Sequence, residues 1–204
     1  MSDLAIHMAA LVGGYLLGSI PFAFLVTKAF GLGDIRQVGS GNVGATNVLR
    51  TGNRYAAALT LLGDGGKGVV AVLIARQFDD IAAMDAALGA FAGHIFPVWL
   101  NFKGGKGVAT FIGIMFALSW PTALLVCATW LVVAFVTRIS SLSALVAAAL
   151  SPIYMWFLAP PGYINNLAYS FNTALLAVLI FITHRENIRR LLKGEEPKIG
   201  AKKA

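Results

Sequence analysis

An all-α integral membrane protein of about seven transmembrane helices is the fold this sequence predicts, and three observations carry the prediction. Of the 204 residues, 58% are hydrophobic and only 12% charged, about half the charged share of a soluble domain. Mean hydropathy is +0.76, and the apolar residues fall in runs near the length that crosses a hydrocarbon core of about 30 Å. The charges sit in the gaps between those runs. A single multi-pass membrane domain over residues 1–204 uses the whole length and leaves almost no room for a soluble one.

The first run, Leu4–Thr27, is too long for the apolar core of a secretion signal, and Asp3 precedes it where a signal carries basic residues. It reads as a retained span. Tyr55–Ala75, Ala83–Leu100, Leu142–Leu158 and Leu167–Thr183 are further spans. Gly104–Val136 is 33 residues, far too long for one crossing, and Ser119-Trp120-Pro121 divides it. Serine caps a helix and proline opens one, so two short spans of about 24 Å each are expected. Charge bias supports the division. With the N-terminus outside and the C-terminus cytoplasmic, fourteen of the sixteen basic residues fall inside; Arg76 lies outside and Lys67 within a span. An undivided stretch would send Arg138 and the basic tail outside. The net charge of +7 is therefore an orientation signal, not a nucleic-acid stripe. Cys127 is alone inside an apolar run and reads as packing.

On this topology the polar motifs share the inner side. Val38–Arg50 carries Ser40, Asn42, Thr46 and Asn47 among glycines, with Arg50 and Arg54 following. From Gly44 the spacing suits a helix with Asn47, Arg50 and Arg54 on one face, and arginine's fork fits phosphate or carboxylate. A turn-rich loop with orientation charges fits the same residues. Gly-Gly-Lys-Gly-Val occurs twice, at Gly65–Val69 and Gly104–Val108. In the first copy Asp64 and Lys67 lie deep in an apolar segment, where each charge costs at least about 2.5 kcal/mol, and their i,i+3 spacing allows pairing. Gly63, Gly65, Gly66 and Gly68 mark either a helix break or a close helix contact. A nucleotide P-loop is disfavoured, since Gly68 stands where the magnesium-binding hydroxyl belongs. In the second copy a helix ends near Pro97–Asn101 and another begins after Gly104–Gly107; free N–H groups there, with Lys103 and Lys106, make an anion site. His184 and Asn187 share a face at the end of the last span, and Ser140, Ser141 and Ser143 are candidate caps for Leu142–Leu158.

Several chemistries are disfavoured. There is no Gly-x-Ser-x-Gly elbow, no His followed five positions on by Asp, and no metal-ligand spacing among the carboxylates and histidines. A phosphate transporter predicts polar access from both sides, and a channel predicts polar rings through the spans; a non-catalytic scaffold leaves the Ser, Asn, Arg and His cluster without purpose.

Gly18–Pro21, Ser40–Asn47, Gly63–Gly68, Gly93–Pro97 with Phe102–Thr110, and His184–Asn187 together resemble the bacterial acyl-phosphate-dependent glycerol-3-phosphate acyltransferases, the PlsY family. The resemblance runs in order over nearly the whole chain. It implies transfer of an acyl group from acyl phosphate to sn-glycerol 3-phosphate, giving lysophosphatidic acid and phosphate at the cytoplasmic face of the inner membrane. It implies no cofactor and no metal, and it allows functional coupling to the enzyme that forms acyl phosphate. Carried over by position, Ser40, Asn42, His184 and Asn187 are catalytic. By the same match Arg50, Arg54, Gly104, Gly105, Lys106, Gly107 and Ser141 are expected to bind substrate, with Ser143 nearly as good a match as Ser141; Asn47 and Lys103 join them from their places beside Arg50 and Lys106. Glu195 matches a structural glutamate, and Asp64 and Lys67 are expected to be structural as a buried pair.

Overall fold

The computed structural model describes residues 2–160 and 166–200, and every regular element among them is helical. Six segments are long and apolar enough to cross a membrane: Asp3–Ala29, Arg54–Ala75, Asp80–Leu100, Trp120–Thr137, Ser140–Leu158 and Asn166–Thr183. Val108–Leu118 is a shorter apolar helix. The chain divides into two compact units, Met1–Leu118 and Ser119–Ala204. Lys202 and Lys203 of the basic tail lie outside the described residues.

The first unit contains α1 (Asp3–Gly18), α2 (Phe22–Ala29), α3 (Ala45–Val48), α4 (Arg54–Ala75), α5 (Asp80–Ile95) and α6 (Val108–Leu118). The first span is broken where an unbroken one was expected. Pro21 lacks the N–H that would continue the ladder, so α1 stops and α2 starts afresh at Phe22. Helices α1 and α5 meet backbone to backbone. A Cβ on Gly14 or Gly18 would overlap the main chain of Ala86 or Ala90, and one on Gly89 or Gly93 that of Leu11 or Tyr15. Helix α4 runs unbroken through Gly63–Gly68, so those glycines mark contact and not a break. A Cβ on Gly113 of α6 would strike the backbone of Gly65, and one on Gly68 would sit 2.8 Å from the Thr110 carbonyl oxygen.

Helix α6 has 11 residues, about 16 Å, and is shorter than its expected half of the long stretch. The reason lies at its start, where Gly104–Gly107 stay outside the helix. Its other end is closed by Arg76, whose guanidinium donates to the carbonyls of Ala117 (2.5 Å) and Leu118 (3.1 Å). A cation on these terminal acceptors complements the helix dipole and explains the one basic residue that the orientation pattern left over.

The second unit contains α7 (Trp120–Thr137), α8 (Ser140–Leu158), α9 (Asn166–Thr183) and α10 (Arg185–Leu192). Ser119 caps α7 by accepting from the Thr122 N–H at 3.4 Å, with Pro121 in the first turn, as expected. The serine caps expected for α8 are absent: Ile139 occupies the cap position and no side chain fills the role. Ser143 instead donates to the Ile139 carbonyl within its own first turn, and Ser141 turns to Glu196.

Candidate active site

In the first unit two irregular segments lie at one end: residues 30–53 between α2 and α4, and residues 96–107 between α5 and α6. Asn47 organises the first. It is buried, and its amide donates to the carbonyls of Ile35 (3.1 Å) and Val38 (2.9 Å). Its oxygen accepts from the backbone N–H and hydroxyl of Ser40, at 3.2 and 3.4 Å. The loop can close this tightly because Gly39 takes φ +54°, and a Cβ there would lie 2.6 Å from the Asn47 oxygen. Asn47 was expected to bind substrate; both ends of its amide are engaged inside the loop, and Ser40 beside it is exposed. Asp34 and Arg36 pin the loop's start, paired at 2.6 Å, with the guanidinium 5.6 Å over the Phe24 ring.

The expected single helix carrying Asn47, Arg50 and Arg54 does not form. Helix α3 ends at Val48, a 3₁₀ turn covers Leu49–Thr51, Gly52 sits at φ +86°, and Arg54 opens α4. Arg50 and Arg54 are both exposed, and neither has a carboxylate partner among the described residues.

The glycine loop also differs from expectation. The N–H groups of Lys103, Gly104 and Gly105 donate to the carbonyls of Leu100 (3.1 Å), Ile95 (2.9 Å) and His94 (3.1 Å). They close the end of α5 and are not offered to a ligand. The helix N-terminus that could face an anion is that of α6. There the first intrahelical bond runs from Phe111 N–H to Gly107 O, and the preceding N–H groups face out of the helix. Lys106 is half-buried beside them and Lys103 is exposed. The two loops touch at Gly105, which is buried: a Cβ there would lie 2.6 Å from the Val43 carbonyl and would overlap the His94 ring. Ser40, Asn42, Asn47, Arg50 and Lys103–Gly107 therefore belong to one end of this unit.

Asp64 and Lys67 form the expected ion pair, at 2.9 Å and almost wholly buried. Lys67 also donates to the Ile20 carbonyl (2.9 Å), in the break between α1 and α2. His94 Nδ1 lies 3.5 Å from the same Asp64 oxygen, a contact the sequence did not suggest.

In the second unit the organising residue is Glu196. It accepts from Ser141 (2.7 Å), Asn187 (2.6 Å) and Arg190 (2.7 Å). Glu195, expected as the structural glutamate, is exposed. The backbone decides between the two: Gly194 at φ +71° and the Ile199 N–H bonded to Arg138 O (2.6 Å) lay the tail back so that Glu196 faces inward. His184 is buried at the junction of α9 and α10, its Nδ1 2.8 Å from the Ile180 carbonyl. A carbonyl only accepts, so Nδ1 carries the hydrogen and a neutral ring keeps its lone pair on Nε2. Burial raises the Glu196 carboxyl's pKa, but the bonds from Ser141, Asn187 and Arg190 outweigh it and hold the group below the usual glutamate value of 4.5. A depressed folded-state pKa means stability that is present above about pH 4.5 and lost as pH falls through the lower folded value. Glu196→Gln is accordingly expected to unfold at lower temperature than the wild type at neutral pH, with the gap closing only in acid; thermal melts across pH check this.

Taken together these features define a polytopic helical membrane protein that presents cations, hydroxyls and amides at helix ends, the makings of an enzyme acting on anionic substrates. The chain belongs to the glycerol-3-phosphate acyltransferase family, whose model matches residues 8–194. It is 60% identical over 190 residues to a glycerol-3-phosphate acyltransferase of Cereibacter sphaeroides, covering 93% of this chain and 88% of that one. It is 58% identical over 198 residues to one of Caulobacter vibrioides, covering 95% and 88%. Among solved structures it is similar to PlsY (YgiH), an integral membrane glycerol 3-phosphate acyltransferase, in its glycerol 3-phosphate form. The TM-score is 0.86 at 38% identity, covering 95% of this chain and 96% of that one. The lysophosphatidic acid form gives 0.83 at 35% identity, covering 95% of each chain.

Proposed function

We propose that this acyltransferase uses acyl phosphate as donor and sn-glycerol 3-phosphate as acceptor, releasing 1-acyl-sn-glycerol 3-phosphate (lysophosphatidic acid) and phosphate. The observation that carries the reading is the meeting of the Ser40–Asn47 loop with the glycine loop at Val43 and Gly105, which brings hydroxyl and amide groups to the same helix ends as Lys106 and Arg50. Forms of a related enzyme with glycerol 3-phosphate and with lysophosphatidic acid support the acceptor and the product.

An acyl phosphate is a mixed anhydride and already activated, so neither a covalent enzyme nucleophile nor a cofactor is needed. The acceptor's primary hydroxyl oxygen attacks the acyl carbon, the bond from that carbon to the bridging phosphate oxygen breaks, and inorganic phosphate leaves. Two anions must be held together against their repulsion, which is the work of Arg50, Arg54, Lys103, Lys106 and the α6 N-terminus. Ser40 and Asn42 steady the charge that builds on the acyl oxygen. A substrate phosphate oxygen takes the hydroxyl's proton, and His184, Asn187 and Ser141 are site residues by the resemblance of their motif positions to the family.

With the proton going to substrate, His184→Gln is expected to keep turnover within about tenfold of wild type once substrate is saturating. Loss of about a thousandfold or more in single-turnover rate, with substrate binding intact, would make His184 the base instead. The site faces the cytoplasm at the inner membrane, where the enzyme that forms acyl phosphate can supply it directly. Purified protein in lipid, given palmitoyl phosphate and glycerol 3-phosphate without CoA or carrier protein, should form lysophosphatidic acid. Product only with acyl-CoA would refute the donor, and uptake into vesicles without product would favour a transporter.

A further inference from the structure

The copy of the glycine-lysine motif inside α4 takes no part in the chemistry above, yet it touches the α1–α2 break, the end of α5 and the first turn of α6. Asp64 bonds Lys67 at 2.9 Å and approaches His94 Nδ1 at 3.5 Å through the same oxygen. Lys67 reaches the Ile20 carbonyl in the α1–α2 break. The backbone carbonyl of Asp64 accepts from Thr110 Oγ1 at 2.8 Å, in the first turn of α6. The His94 carbonyl holds the Gly105 N–H at 3.1 Å, and its ring occupies the space a Gly105 side chain would need. Ser19, Ile20, Lys67, His94 and Gly105 all line one small cleft.

A buried ion pair is a poor way to gain stability. Replacing one with apolar groups of similar size is often neutral or favourable, whereas removing one partner alone is costly. Holding the fold together also does not require it here, because glycine contacts already join α4 to α6 and α1 to α5. What the charges add is a charged neighbour 3.5 Å from the His94 ring, and that ring and the His94 carbonyl bound the space Gly105 occupies. Gly105 in turn sets Lys106 and the N–H groups that follow it.

We propose that Asp64, Lys67 and His94 form a buried strut that positions the Lys103–Gly107 loop for the phosphate of glycerol 3-phosphate. They are positioning residues and do not touch substrate. The inference rests on the reading of that loop as a phosphate site.

The test compares wild type with the neutral pair Asp64→Asn/Lys67→Met and with His94→Gln, each as the full chain in lipid. Hydrogen exchange of peptides covering residues 102–107, thermal unfolding, and KM and kcat for glycerol 3-phosphate are measured. The strut predicts faster exchange at Gly104 and Gly105, a KM raised about tenfold and kcat within about threefold, in at least one variant whose unfolding temperature stays near wild type. A folded variant with unchanged loop exchange, or one with a looser loop and unchanged KM, overturns the proposal. So does a kcat loss without a KM change. If both variants fail to fold, the cluster holds the fold and the positioning role is refuted. Wild type that makes no lysophosphatidic acid would refute the functional reading separately, and the exchange data would still judge the strut.

Discussion

Gly105→Ala is expected to lower kcat/KM by at least a hundredfold, about 2.7 kcal/mol of transition-state stabilisation. One added methyl would overlap the His94 ring and lie 2.6 Å from the Val43 carbonyl. Neither neighbour yields easily: the ring is buried beside Asp64, and Val43 is buried in a loop that Asn47 has closed. The two loops must therefore part. A displacement of about 1 Å between reacting groups can cost about a hundredfold in rate, which sets the magnitude. Gly52→Ala is the control for glycine loss in the same region. A Cβ at Gly52 meets nothing within 4 Å, although φ +86° there adds backbone strain. Gly52→Ala should lose thermal stability and keep most of its activity, whereas Gly105→Ala should lose far more activity than its melting point explains. Steady-state kinetics with melts on both variants checks this. Similar activity losses in the two would show that the loop contact has no special role.

Lys106→Met is expected to raise KM for glycerol 3-phosphate by more than tenfold and to lower kcat/KM by about a hundredfold. Lys106 follows Gly105 and stands two residues before α6, where its charge adds to the positive end of the helix. Charge-assisted bonds to an anion are worth about 1.5–3 kcal/mol, so losing one predicts roughly ten- to a hundredfold. Lys106→Arg should recover part of the loss, because charge is restored while reach and shape change. Raised ionic strength should weaken substrate binding more in wild type than in Lys106→Met, since the variant has already lost the screened interaction. Equal salt dependence in both would remove Lys106 from the phosphate contact.

The fold class was legible because membrane spans are written as composition: the long apolar runs at Tyr55–Ala75 and Leu167–Thr183 match α4 and α9 within a residue or two. The Ser119–Pro121 division was legible because cap and proline chemistry are local. Glycine patterns were less so. Gly63–Gly68 and Gly104–Gly107 look alike in one dimension, yet the first is continuous helix packed on α6 and the second is loop. The difference is set by neighbours, Gly113 in one case and the end of α5 in the other. Deeper in the site, the sequence supplied residue types but not their partners. Asn47 was visible as a polar group, and its inward orientation follows only from the Gly39 turn. Glu195 and Glu196 are adjacent and chemically equal, and nothing short of the path of the tail separates them. The His94–Asp64 contact joins residues thirty positions apart on separate helices, beyond any local pattern.

The positive-inside bias predicts that the Ser40–Asn47 loop, the Lys103–Gly107 loop and the end of α9 each face the cytoplasm, and topology labelling tests this most directly. Single cysteines at Thr46, Lys103 and Arg185, each in a Cys127→Ser background, would be labelled with a membrane-impermeant maleimide in right-side-out and inverted vesicles. The account predicts that all three react only in inverted vesicles. Labelling of any one of them from the outer face, with the other two reacting from the inner, would contradict it.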